Sequence, residues 1–263
     1  MLKDYVQPTD SSESSETEFI EKHWTAIWQR TADDRTGGDA VMDKMETRIL
    51  LPYLQSLPKE ARVLDGGCGL GDWTMALLNR GYQVTGIDLS QQTIEKLKEY
   101  FPMADFQSMD IRHMTFADDS FDLYFSWGVF EHFENGMQEC LAEAMRVLKP
   151  GGRLIISVPF DNLRHSIRNV LMPIRNQPQP QKLRFYQWRF TQQELSLQMT
   201  LAGFAVEKIL PIHKRQGVQR MLFHDFGLAA RGRVSRKLTP LLEPLLPGKA
   251  VAHMILAVAQ KPE

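Results

Sequence analysis

Cysteine is the scarcest feature of this chain: Cys68 and Cys140 are the only two in 263 residues. Two thiols cannot staple a domain of this size, so a disulfide framework is excluded and a reducing compartment is expected. Long apolar runs are missing as well. A spanning helix needs roughly 18 or more apolar residues in a row, and the most apolar stretch, 238–258, is broken by Pro240, Glu243, Pro244, Pro247 and Lys249. The opening MLKDYVQPTDSSESSETEF carries no apolar core of a secretory signal, so the expected setting is cytoplasmic. Charge of one sign is lacking too. A formal net charge of −1 gives no reason to expect nucleic acid as a partner.

What remains is an ordinary globular composition, 43% hydrophobic and 24% charged, sufficient for a packed core. The length suits one domain with added lid segments. Residues 1–17 are rich in Ser, Asp and Glu with little to bury, and are expected to be a flexible tail. Residues 18–263 are expected to form a single domain that opens with helices over 18–58. Phe19, Ile20, His23, Trp24, Ile27 and Trp28 recur at three- and four-residue spacing and so share one helix face. Ile49, Leu50, Tyr53 and Leu54 stripe a second helix over about 40–57, with Pro58 beyond its end.

From Ala61 the pattern changes to short apolar runs at 62–65, 83–88, 105–108, 121–127, 153–159, 204–210 and 253–260. Helical stretches at 73–80, 91–100, 137–148 and 191–202 lie between them. Crossover helices of this length imply parallel strands in a sheet covered on both faces.

The sharpest motif runs Val63-Leu64-Asp65-Gly66-Gly67-Cys68-Gly69-Leu70-Gly71, a strand entering a glycine turn ahead of a helix. Gly67, Gly69 and Gly71 permit positive φ and close approach of a ligand to the backbone, and the N–H groups of a helix start point into such a turn. A dinucleotide site would place a third glycine where Asp72 stands, and that carboxylate would repel a pyrophosphate. The observed D-x-G-x-G-x-G suits a zwitterion carrying an amine and a sulfonium. Asp88 closes the next strand 23 residues after Asp65, where a carboxylate can accept both ribose hydroxyls; Ser90 behind it is a plausible helix cap. Asp110 follows 22 residues later, placed to accept from an adenine amino group. Then come Ser126-Trp127, the segment Phe130-Glu131-His132, and the turn Leu148-Lys149-Pro150-Gly151-Gly152.

In this order and spacing the motifs resemble the class I S-adenosylmethionine-dependent methyltransferases, particularly the small-molecule type, over roughly residues 45–210 and the last strand. The resemblance implies a Rossmann-like α/β fold: a seven-stranded, mostly parallel sheet with helices on both faces, the last strand antiparallel, and helical lid insertions. It implies S-adenosyl-L-methionine as cofactor, with Asp65, Gly67, Gly69 and Gly71 along the methionine part. Asp88 and the adjacent Leu89 would meet the ribose, Asp110 and Ile111 the adenine, and Ser126 and Trp127 the space beneath the sulfonium. The aromatic helix with Trp24 and Trp28 either closes over the cofactor or packs the core.

Methyl transfer is an in-line displacement, so alignment and exclusion of water dominate; a hydroxyl acceptor also needs a base. His132, just past the fourth strand, and His165, past the fifth, are the candidate general bases, with His213 after the sixth as a further histidine. No pair of these has metal-ligand spacing, and no metal is expected.

The lids are set at 160–190 and 211–250. Arg164, Arg168, Arg175, Lys182, Arg184 and Arg189 face no acidic residue between 162 and 193. Between 213 and 237 seven basic residues face Asp225 alone. An anionic small-molecule, lipid-linked or glycan-linked acceptor would exploit that field. Basic and apolar residues over 213–246 also suit peripheral contact with an anionic membrane, although a solvated face or a homodimer interface reads equally from them. The reaction expected is O-methylation. The alternatives are an N- or C-methyltransferase of a small metabolite, or a non-catalytic binding protein on the same fold.

Overall fold

The computed structural model describes residues 1–6, 15–31, 38–165, 167, 183–229 and 232–263. The strands are β1 (Leu2–Val6), β2 (Arg62–Gly66), β3 (Gln83–Asp88), β4 (Asp105–Ser108), β5 (Phe121–Trp127), β6 (Leu148–Pro159), β7 (Arg184–Arg189), β8 (Ala205–Ile212) and β9 (Met254–Gln260). The helices are α1 (Glu16–Thr31), α2 (Met45–Gln55), α3 (Asp72–Leu78), α4 (Gln91–Tyr100), α5 (Gln138–Val147), α6 (Gln192–Leu201), α7 (Lys214–Phe226), α8 (Arg233–Leu245) and α9 (Gly248–Val251).

Seven strands form one sheet in the order β4-β3-β2-β5-β6-β9-β8. The pairings β2–β3, β2–β5, β3–β4 and β5–β6 are parallel, whereas β9 lies antiparallel between β6 and β8. This is the Rossmann-like arrangement expected from the sequence, including the reversed last strand. The central strands are apolar without alternation because successive side chains enter opposite, equally buried faces. Leu64, Tyr124, Leu154 and Ile156 belong to one core cluster, while Val63, Leu123, Phe125 and Ile155 belong to the other. The strand order places β3 and β5 on either side of β2, so connections leave β2 and β5 in opposite senses and open a crevice at their carboxyl ends.

The amino terminus corrects the sequence reading. Leu2–Val6 is not a loose tail but a strand, paired antiparallel with β7 from Leu2↔Arg189 to Val6↔Arg184. Its isolated alternation of intermediate and exposed residues gives little periodic signal, and only its distant partner defines it. The following helix begins at Glu16, inside the segment assigned to the tail. The second helix is shorter than expected, since 3₁₀ turns occupy Gly38–Asp43. β6 begins at Leu148, ahead of the Pro-Gly turn instead of after it. The lid insertions contain β7 in the first and α7, α8 and α9 in the second. Arg168, Arg175, Lys182 and Arg231 lie outside the described residues.

Candidate active site

The site starts from the turn after β2. Gly67, Gly69 and Gly71 all have positive φ, at 77°, 53° and 76°. The N–H groups of Gly67 and Cys68 both donate to the Ile87 carbonyl, at 2.7 and 2.8 Å, which fastens the turn to β3. Asp88 extends that link: one carboxylate oxygen accepts the Gly69 N–H at 2.9 Å and the other accepts the Ser90 N–H at 2.9 Å. Ser90 caps α4 by accepting from Thr93 N–H at 3.3 Å, so cap and carboxylate coexist. The absence of side chains is required sterically as well. A Cβ at Gly67 would fall 2.3 Å from a Val129 methyl carbon, and one at Gly69 2.8 Å from the Trp28 ring.

Above this turn is a cavity of about 230 Å³. It is lined by Asp65, Gly67, Gly69, Asp88, Leu89, Asp110, Ile111, Trp127 and His132, all singled out in the sequence, and by both Trp24 and Trp28 of α1. The two indoles stack with centroids 5.2 Å apart, so the aromatic helix is a wall of the cavity. Asp72 lines it too, in the position where a pyrophosphate would meet its charge.

Two residues expected in this cavity are elsewhere. Gly71 is the left-handed cap of α3, and its missing Cβ leaves room for Phe106, 2.8 Å from where that atom would stand. Ser126 is fully buried and donates its hydroxyl to the Gly66 carbonyl at 2.6 Å. It braces β5 against β2, because residue alternation turns its side chain into the sheet.

Several cavity residues carried no sequence signal. Lys44 lines the cavity and lies 4.3 Å from the centre of the Trp73 ring. Met109 and Val129 contribute apolar walls. Their neighbours in sequence are motif residues, but which of two adjacent side chains faces inward depends on pleat and turn geometry.

Burial sets the electrostatics. Asp65 is 3% exposed; desolvation, opposed by the Thr74 hydroxyl that donates to it at 2.7 Å, pushes its carboxyl up to about 7. Asp88 is also raised by burial. Asp110 is held by the Arg112 guanidinium at 2.7 Å, and Arg112 reaches on to Glu16 at 2.9 Å, tying α1 over the site.

His132 is 5% exposed, and burial lowers it to about 4, so its imidazole is neutral near pH 7. Its Nδ1 lies 2.7 Å from the Tyr186 carbonyl oxygen. A carbonyl can only accept, so the single proton sits on Nδ1 and the lone pair on Nε2. Glu131 approaches that nitrogen at 4.0 Å, but burial raises its carboxyl to about 8. Both partners are therefore uncharged, and the contact is not an ion pair.

The remaining histidines stand apart from the cavity. His165 contacts Arg164 through Nε2 at 3.1 Å, and His213 meets Glu46 at 2.8 Å. Neither lines the cavity. Among the described residues no group of three or more His, Cys, Asp or Glu is arranged to hold a metal, and no helix is long and apolar enough to cross a membrane.

Comparison with known proteins agrees with this geometry. A family described as a methyltransferase domain matches residues 63–152, the span from β2 through the Pro-Gly turn. A probable S-adenosylmethionine-dependent methyltransferase of Mycolicibacterium smegmatis is 26% identical over 66% of this chain and 63% of its own length. A malonyl-[acyl-carrier protein] O-methyltransferase of Enterobacter lignolyticus is 27% identical over 78% of this chain and 76% of its own. The chain spans between 22% and 63% of the length of several other curated relatives it matches. In fold, it superposes on the 1,6-didemethyltoxoflavin-N1-methyltransferase of Burkholderia thailandensis with a TM-score of 0.57 and 20% identity, covering 97% of this chain and 94% of that one. That structure holds S-adenosylhomocysteine. Matched domain, strand order and strand-end cavity converge: residues 63–152 match a methyltransferase domain, set in the fold that solved S-adenosylmethionine-dependent methyltransferases share.

Proposed function

We propose that this chain transfers the methyl group of S-adenosylmethionine to an oxygen of a small or carrier-linked acceptor, with His132 as general base. The observation that carries the reading is His132 itself: a neutral imidazole in the cavity wall, its proton tied to Tyr186 and its lone pair on Nε2.

The cavity fits the cofactor by its own chemistry. Asp88 retains acceptor capacity for ribose hydroxyls beyond its two backbone bonds. Asp110 and Ile111 flank the space for the base. Trp28 and Trp127 each present a buried indole N–H with no hydrogen-bond partner, and both line the cavity. An orphaned buried donor is costly, and a ligand carboxylate would satisfy it. Asp65, uncharged in half of molecules near pH 7, regains its charge beside an ammonium group.

S-adenosylmethionine supplies an electrophilic methyl on a sulfonium. The protein's share is to orient and to dry. Trp24, Trp28, Trp127 and Phe133 exclude water around the reacting atoms. His132 accepts the hydroxyl proton at Nε2, and the carbonyl of Tyr186 stabilises the imidazolium that forms, as an orienting partner does in other histidine bases.

Relatives named for both O- and C-methylation match this chain, so acceptor chemistry must come from the site. A screen for S-adenosylhomocysteine release over hydroxy, carboxy, amino and phenol acceptors tests the proposal. Turnover in which His132→Ala keeps full kcat would assign the reaction to a carbon or amine acceptor.

A further inference from the structure

Outside the cofactor cavity, a second polar centre is assembled where β6 ends. The loop after β6 is stitched on both sides: Phe160 N–H donates to the His253 carbonyl at 3.0 Å, and Asp161 N–H to the Phe190 carbonyl at 2.9 Å. These bonds bring His165, His253 and Arg189 to one place. Helix α7 closes a third side. A Cβ at Gly217 would fall 1.7 Å from the Val251 carbonyl oxygen, so glycine alone allows the helix to lie this close to the chain before β9. Arg220 is three residues further along α7 and so shares that face.

The guanidiniums there are unevenly paired, and the carboxylate of Asp161 lies 3.8 Å from His165 Nδ1. Arg189 pairs with Asp4 at 2.7 Å, and Arg164 pairs with Asp225 at 2.7 Å. Arg220, partly buried, has no hydrogen-bond or ion-pair partner among the described residues. The charges acting on it are those of Arg189, Asp4 and Arg164, and the one carboxylate among them is already engaged. Burial together with these guanidiniums drives His165 down to about 4 and His253 to about 3, as a positive local field should. His165 Nδ1 and Arg164 Nε are buried without hydrogen-bond partners among the described residues. Tyr186 links this centre to the cofactor cavity. Its ring centroid is 5.1 Å from that of His132, and its carbonyl holds the His132 proton. Asp4, Arg220 and Arg189 lie within electrostatic reach of its phenol.

We propose that Arg220, beside Arg189 and Tyr186, binds an anionic oxygen group of the acceptor, a carboxylate or a phosphate ester, one residue away from His132. The site rests on the methyltransferase reading for its purpose, though not for its chemistry. A guanidinium offers paired N–H donors matched to either anion, and neutralisation removes the cost of a partly buried lone charge.

Calorimetric titration of the full chain with malonate, phenyl phosphate and neutral malonamide tests this, with and without saturating S-adenosylhomocysteine. At least one anion should bind and malonamide should not; which anion binds tells carboxylate from phosphate. Arg220→Gln should weaken that binding about tenfold or more, in keeping with loss of a charge-assisted pair, while leaving S-adenosylhomocysteine affinity unchanged. Arg220→Lys, which keeps the charge and loses the fork, should fall between. Lys96→Gln, an exposed charge on α4, should bind as the unaltered chain does. Equal binding by Arg220→Gln, equal losses in both Gln variants, or no anion binding at all would overturn the site. Failure of S-adenosylhomocysteine to bind would sink the methyltransferase reading, and the titrations without it would still decide the anion site.

Discussion

Nδ1 of His132 lies 2.7 Å from the carbonyl oxygen of Tyr186, a residue 54 positions later in the chain. This one contact fixes the tautomer of the proposed base, and it is delivered by β7, the strand that pairs with the amino-terminal β1. The two-stranded sheet of β1 and β7 therefore sets the tautomer of His132.

The pH dependence of activity follows directly. Burial holds His132 near 4, so the free enzyme's base stays deprotonated well below the usual histidine range. With S-adenosylmethionine saturating, so that Asp65 is already charged beside the ammonium, the kcat/KM profile for the acceptor should stay level from pH 8 down to about 5, and its acid limb should fall nearer 4 than 6.5. A limb centred on 6.5 would show that an ordinary exposed histidine does the work.

Stability should respond in the same direction. His132, His165 and His253 are lowered to about 4, about 4 and about 3, below an unfolded value of about 6.5. Between those limits the unfolded chain takes up protons that the folded chain refuses, so stability is lost as pH falls through that window. Asp65 and Glu131, raised to about 7 and about 8, act in the opposite sense over the same range. The histidine contribution is therefore isolated by His253→Gln: its urea midpoint relative to that of the unaltered chain should rise between pH 7.5 and pH 5.

Asp88→Ala removes an acceptor from the cavity, one from the Gly69 N–H of the glycine turn and one from the Ser90 N–H ahead of α4. Affinity for S-adenosylmethionine should fall by a factor of ten or more, as a charged hydrogen bond of about 1.5–3 kcal/mol implies. The melting temperature should fall too, because the Gly69 and Ser90 N–H groups lose their partner. Unchanged affinity by calorimetry would remove Asp88 from ribose binding.

Trp28→Phe separates ligand contact from packing. The indole N–H has no hydrogen-bond partner among the described residues, so its deletion should leave the melting temperature nearly unaltered. Cofactor affinity should drop several-fold, by about one hydrogen bond. A variant that melts early but binds normally would make Trp28 a packing residue only.

Gly217→Ala tests the seat of α7. A methyl group there would overlap the Val251 carbonyl, so the helix must move or the chain before β9 must. Overpacking of this kind costs about 1–3 kcal/mol, occasionally more. The melting temperature should fall clearly, and cofactor affinity much less, since α7 contributes no wall to the cavity.

How much of the site was legible depends on the kind of residue. Gly67, Gly69, Asp65, Asp88 and Asp110 stand at strand ends, where the fold leaves little choice of direction, and all line the cavity. Ser126 and Gly71 read as equally good candidates and face other ways, Ser126 because of pleat alternation and Gly71 because it caps α3. Lys44 was invisible because it belongs to a connecting turn whose placement depends on packing against Trp73. The tail reading of the first residues failed for a related reason: five residues of weak alternation become a strand only when β7 is there to pair with them.

The linear order of residues decided the sheet, its crevice and the carboxylates around it, since local periodicity and glycine turns act over short range and need no distant partner. Folding in three dimensions decided which histidine lines the cavity, which tryptophans enclose it, and that Arg220 has no counterion among the described residues. Those properties arise from desolvation and from contacts between segments far apart in the chain, and neither quantity exists until the core has closed.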